Sequence, residues 1–339
     1  MESLSGYSLS EQESEMTPKD RVIRTLRHEE RDRIPVYGWV RANMEEPISK
    51  AYGSVEAFED HYGFDLAHLF GGPPSYVMDH EVLARSARGE EVEPDEVIGF
   101  PLSDPNGSSA YDGLRSQVAH HKARDRFVYV QTPGFFEHWN GLFGIENHLG
   151  YLLTHLVEIE QLYQRQAEWN LQFAHNCLDL GIDCIHISDD WGGQNSLLFS
   201  PDLWRRLIYP NLKRVVDGVK ARGGFVSLHS DGNINAVKNH LVDLGFDLVH
   251  PWQESAGMSL DDFDQNYNGK FTVMGGLDIQ TTLGFGRLDL VRQTLDRLIP
   301  QFRDGCLILC TTHFVQDHCS IEELIQTYEW IIELNGIRD

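Results

Sequence analysis

From Thr17 onward, amphipathic stretches at helical spacing alternate with short runs of almost unbroken apolar residues. The apolar runs are Ile34–Val40, Asp65–Phe70, Phe127–Thr132, Ile182–Ser188, Gly224–His229, Asp247–Pro251, Phe271–Gly275 and Cys306–Thr311. Runs this short, apolar at successive positions, suit strands of a parallel sheet covered on both faces. Helix signals stand between them. Thr17-Pro18 with Asp20 combines a capping hydroxyl, a proline for the first turn and an acid for the dipole. Further helices are predicted over Val55–Tyr62, across 145–179 and from Ser200-Pro201, with Pro210 kinking or splitting the last. Ser320 with Glu323 three residues on reads as a capping box. Eight strands that each feed a helix predict an α/β fold, a (β/α)8 TIM barrel. Pro73-Pro74, Pro94, Pro101, Pro105 and Asn106-Gly107 interrupt the beat, so residues 71–125 are expected as an insertion of short strands or loops between strands two and three. No G-x-G-x-x-G opens a helix, which argues against a doubly wound open sheet. The expected organisation is a disordered tail over 1–16 and a single barrel domain over 17–339.

Charge narrows the partners. The 339 residues carry 52 acidic against 28 basic side chains, a formal net charge of −24. Such a surface repels nucleic acid and anionic lipid, and it disfavours a highly anionic substrate. No apolar run approaches the roughly 18–20 residues a membrane span needs, and residues 1–10 lack the basic and apolar regions of a secretory signal. Cys177, Cys184, Cys306, Cys310 and Cys319 are odd in number and fall inside predicted elements, as free thiols do. A cytoplasmic protein is expected.

In a barrel, the loops after the strands converge on one mouth. Strand one ends at Trp39 and Arg41, and strand three leads into Thr132-Pro-Gly-Phe-Phe-Glu137-His-Trp139. Strand four ends in Ser188-Asp-Asp190-Trp191-Gly192 and strand five in His229-Ser-Asp231-Gly232. Strand six ends in His250-Pro-Trp-Gln253-Glu254, strand seven in Gly275-Gly-Leu-Asp278 and strand eight in Cys310-Thr-Thr-His313. Buried charges are costly unless paired or coordinated, so this density of polar ends reads as an active site. His229 and Asp231 stand two apart and both can face the mouth, with His313 opposite. Three such ligands and one open position suit catalytic zinc. Without a metal the same residues form an acid–base cluster, and the residues alone leave that choice open. Taken singly, His229 and His250 also read as packed rings, Asp231 as a turn former, Asp190 as a cap, and His186 and Cys310 as core. Trp39, Phe135, Phe136, Trp139, Trp191 and Trp252 follow strands and predict an aromatic wall for a small ligand.

Several motifs recur in a fixed order. They are Ser188-Asp-Asp-Trp-Gly192, Ser200-Pro-Asp-Leu-Trp204, Tyr209-Pro210, His229-Ser-Asp-Gly232, Gly245-Phe-Asp247, Pro251-Trp-Gln253 and Gly275-Gly-Leu-Asp278-Ile-Gln280, then His313 ahead of Ser320-Ile-Glu-Glu. The set resembles the uroporphyrinogen decarboxylase superfamily, in its decarboxylase-like and corrinoid methyltransferase branches, from about Thr17 to Leu334. The decarboxylases of that superfamily hold substrate carboxylates with an Arg-Gln-Ala-Gly-Arg stretch after strand one. Here the region reads Val36-Tyr-Gly-Trp-Val-Arg41-Ala-Asn-Met-Glu-Glu46, without that clamp. Its methyltransferases bind zinc through His-x-Cys after strand five and a cysteine after strand eight. The corresponding positions are His229, Asp231 and His313.

The resemblance therefore implies a zinc-assisted methyltransferase that moves a methyl group from a small donor to a corrinoid protein or related acceptor. Asp190, His229, Asp231 and His313 are the expected catalytic residues, the last three also as metal ligands. Arg41, Glu137, Trp139, Trp191, Gln253 and Asp278 are expected against substrate. A partner would supply the corrinoid, and a homodimer is expected for a barrel of this size. Two alternatives remain. One is a metal-independent decarboxylase of a small carboxylic acid, with Asp190 and His313 handling protons and Arg41 meeting the carboxylate. The other is a non-catalytic binding protein on the same barrel.

Overall fold

The computed structural model describes residues 16–75 and 79–337, so the expected tail over 1–16 lies, Met16 aside, outside the described residues. Thr17 caps the helix Pro18–Leu26, its hydroxyl oxygen accepting the Asp20 N–H at 3.1 Å. Seven of the eight apolar runs become strands: β1 Leu66–Leu69, β2 Phe127–Pro133, β3 Cys184–Ser188, β4 Phe225–His229, β5 Leu248–His250, β6 Thr272–Leu277 and β7 Leu307–Thr311. They pair in chain order, each parallel to the next, with helices between them. Both faces are buried, which explains why the strand residues are apolar at successive positions.

The first apolar run, Ile34–Val40, does not form a strand. Val36 alone makes a parallel bridge, to Leu309 of β7. Around it, Tyr37 N–H donates to the Leu309 carbonyl and Leu309 N–H to the Pro35 carbonyl, both at 2.9 Å. On the other side Asp65 N–H donates to the Val36 carbonyl at 2.9 Å, so this segment links β7 to the start of β1 and the sheet curls back on itself. Side chains take two further backbone donors. The Val36 N–H goes to Asp65 Oδ2 at 2.7 Å and the Trp39 N–H to Thr311 Oγ1 at 3.0 Å, while Pro35 has none to give.

Residues 71–125 differ from the expectation as well. Where described, they hold the helices His80–Ala87, Pro94–Val97 and Asp112–Lys122 and a 3-10 turn at Ser108–Tyr111. Pro94 occupies the first turn of its helix behind Glu93, so it starts an element where a break was expected. Pro210 splits its helix as predicted, into Pro201–Leu207 and Tyr209–Ala221. Ser320 caps Ile321–Asn335 by accepting the Glu323 N–H at 3.1 Å. The Glu323 carboxylate does not complete a capping box. It turns to the amides of buried Gly284 and exposed Gly286, at 2.8 and 2.9 Å. Among the described residues no helix is long and apolar enough to cross a membrane.

Candidate active site at the strand ends

Register sets the site. Ser188 lies level with His229, and His229 with His250, across β3, β4 and β5. Asp190 and Asp231 each stand two residues beyond their level position, so both loops bring a carboxylate to the same height. Two glycines press the loops together. A Cβ on Gly192 would come within 2.4 Å of the Asp231 carbonyl oxygen, and one on Gly232, at φ +78°, within 2.5 Å of the Gly192 carbonyl oxygen. No side chain fits between these backbones. Contact this close lets the Asp231 N–H donate to Asp190 Oδ1 at 2.7 Å.

The outcome is a three-residue group. His229 Nε2 lies 3.6 Å from Asp190 Oδ1 and 3.9 Å from Asp231 Oδ1. One donor atom from each of the three falls within 4.8 Å of the others. The imidazole is buried, while the two carboxylates keep 32% and 34% of their side-chain surface open, so the group faces outward. One imidazole nitrogen and two carboxylates, carrying two negative charges, fit a divalent cation with positions left for other ligands. Glu93, Asp95 and His155 form the other such group among the described residues, but both carboxylates there are exposed on the surface.

Further carboxylates crowd the mouth. Glu137 is raised to about 7, first by burial and then by the charges of Asp190 and Asp189, against the hydrogen bond it accepts from Ser188 Oγ at 3.0 Å. Asp231 is raised to about 6 by burial, with His229 opposing and Asp190 and Asp278 adding to the shift. Asp189 is fully buried and likewise raised to about 6, chiefly by burial. Its Oδ1 accepts the Glu137 N–H at 2.8 Å at the start of the helix Phe136–Phe143, so Asp189 positions Glu137 while Asp190 faces the cluster.

The other sequence-predicted residues divide by role. His313 stands beside the group, its ring centre 6.3 Å from that of His229, and it is not one of the three residues whose donor atoms converge; Asp190 is. Gln253 braces the β4 loop by accepting the Gly232 N–H at 3.1 Å. Asp278 ties two loops, accepting the Gln280 N–H at 2.7 Å and the Ser255 N–H at 3.2 Å. Arg41 is held by Glu56 at 3.1 Å and Glu59 at 2.9 Å. Trp139 is buried against Phe143, ring centres 5.8 Å apart, and Trp191 is buried edge-on to Trp204 at 5.3 Å. Phe135, Phe136 and Trp252 are buried too, so most of the expected aromatic wall is packing.

Trp39 is different. With Tyr37, Arg41, His68, Phe70 and Phe314 it lines a cavity of about 500 Å³. The same indole stacks on His250, ring centres 4.5 Å apart, and tilts over His229 at 5.4 Å. It is thus shared by the cavity and the carboxylate group. For His250 the sequence leaves a packed ring and a site residue equally open, and its Nδ1 lies 2.8 Å from His229 Nδ1. The signal was its level position one strand over from His229, which pairing register alone reveals.

The sequence profile described as Uroporphyrinogen decarboxylase (URO-D) matches residues 140–331. No curated protein matches the chain. Among solved structures, a methyltransferase from Methanosarcina mazei is similar with a TM-score of 0.65 at 14% identity, over 95% of this chain and 99% of that one. A B12-independent methionine synthase from Shewanella sp. W3-18-1 gives a TM-score of 0.44 at 12% identity, over 90% of this chain and 93% of that one. The first likeness supports the curled parallel α/β sheet.

Proposed function

Since the chain belongs to the uroporphyrinogen decarboxylase (URO-D) family, we propose that it is a methyltransferase that moves a methyl group from a small, uncharged donor to a corrinoid carried by a partner protein, with zinc held by Asp190, His229 and Asp231. The observation that carries this reading is the convergence of one imidazole and two carboxylates at the strand ends. A zinc ion bound there would supply Lewis acidity. The surroundings select against an anionic substrate. Glu137, Asp189, Asp190, Asp231 and Asp278 gather at the mouth, and Arg41 is already paired with Glu56 and Glu59. A porphyrinogen bearing many carboxylates meets no cationic clamp here, whereas a neutral donor or a metal cation meets favourable charge.

The donor's leaving group departs with its bonding pair and needs a proton. Glu137, whose carboxyl is raised chiefly by burial, is the group that can give one, with Ser188 Oγ fixing its carboxylate. Trp39 and the cavity of about 500 Å³ it lines offer the donor a pocket beside the group, with the His313 ring centre 6.0 Å from that of Trp39. Glu137 and Asp231, both raised towards neutrality, also support a second reading, a metal-independent decarboxylase of a small acid.

Elemental analysis of the purified protein separates these readings. Methyl transfer with zinc expects stoichiometric metal in the parent, lost in both His229→Ala and Asp190→Asn. Protein that stays metal-free after dialysis against zinc would sink the zinc reading and put decarboxylation assays first.

A further inference from the structure

The pair of histidines below the carboxylates has a direction. His250 Nε2 lies 3.0 Å from the Thr311 carbonyl oxygen. A carbonyl has no proton, so the imidazole nitrogen donates. His250 is fully buried, and its polar contacts are that carbonyl and the His229 ring, neither of which offsets a charge. The ring is therefore neutral and carries one proton, on Nε2. Its Nδ1 is a lone pair. His229 Nδ1, 2.8 Å away, must then donate to it. With the His229 proton drawn to Nδ1, a neutral His229 presents a bare Nε2, and that nitrogen faces Asp190 and Asp231. Stacking of Trp39 on His250 at 4.5 Å holds the second ring in place.

We propose that His250 is a positioning residue that fixes the tautomer of His229, so that Nε2 is offered as a ligand lone pair between Asp190 and Asp231. The proposal rests on the reading of those three residues as metal holders, but the tautomer is observable without metal. Residues hydrogen-bonded to a ligating histidine typically change metal affinity 10–100-fold. His250→Asn keeps an acceptor for the His229 Nδ1–H in its side-chain oxygen, whereas His250→Leu removes it.

Long-range proton–nitrogen NMR on metal-free protein labelled in its histidine rings, with His229→Gln to assign the signal, reads the tautomer directly. The expected result is a proton on Nδ1 of His229 in the parent and in His250→Asn, moving to Nε2 in His250→Leu. Zinc titration of the same folded samples is expected to show affinity about tenfold or more weaker in His250→Leu and near parental in His250→Asn. A neutral His229 with its proton on Nε2 and none on Nδ1 in the parent would overturn the proposal even if His250→Leu fails to fold. Equal zinc affinity in all three proteins would overturn it too. A parent that binds no zinc but shows the expected tautomer and its reversal would support the positioning role and count only against the metal reading.

Discussion

Glu137 holds its proton to unusually high pH because burial and the neighbouring carboxylates penalise its charged form. Its value in the fold is about 7 against an ordinary 4.5, so the folded state binds more protons than the unfolded chain between those limits. Unfolding there releases a proton, and stability falls as pH rises through this window, the cost persisting above about 7. Asp231 and Asp189, raised to about 6, push in the same direction at lower pH. In metal-free protein, Glu137→Gln should therefore stabilise more at pH 8 than at pH 5, by an extra amount of up to about 3 kcal/mol. Urea melts at the two pH values test this. An identical change at both would show that Glu137 ionises normally in the fold.

At the scale of elements, the start of β1 is fixed by ions at the end of the sheet opposite the candidate site. Asp65 is fully buried between two guanidiniums, Arg21 at 2.5 Å and Arg33 at 2.8 Å, and its Oδ2 also accepts the Val36 N–H. One carboxylate thus joins the helix Pro18–Leu26, the bridging segment around Val36 and β1. Removing it leaves two cations short of a partner and an amide without its acceptor. Asp65→Ala should cost about 3–5 kcal/mol, as loss of one member of a buried ion network does. Equilibrium denaturation measures it. A loss of about 1 kcal/mol or less, as for exposed pairs, would mean that solvent screens the network.

Across the whole molecule the net charge of −24 sets the balance. Many acidic side chains are answered locally: Asp183 by Lys19, Asp60 by Arg126, Glu254 by Arg297. The excess is not, and at low ionic strength the folded state holds these like charges closer together than the open chain does. Raising sodium chloride from about 10 mM to 0.5 M shortens the screening length from about 30 Å to under 8 Å, so the melting temperature should rise. A melting temperature that falls with salt would mean that the local ion pairs outweigh the global repulsion.

Where the sequence spoke clearly, the determinants were local. Strand positions followed from short apolar runs, because a sheet buried on both faces tolerates little else. Helix starts at Thr17 and Ser200 followed from a hydroxyl that accepts the amide three residues on. His229, Asp231 and Asp190 stood out because charged groups at strand ends in apolar surroundings call for partners. Tertiary structure decided the rest. Ile34–Val40 has the composition of a strand, but Asp65 and Thr311, distant in sequence, take two of its amides. Trp139, Trp191 and Trp39 are alike in sequence as tryptophans beside apolar runs, yet which ring lines a cavity depends on what packs behind it. Asp190 joins His229 and Asp231 because Gly192 and Gly232 let two backbones touch, a contact between loops that no single stretch of sequence encodes.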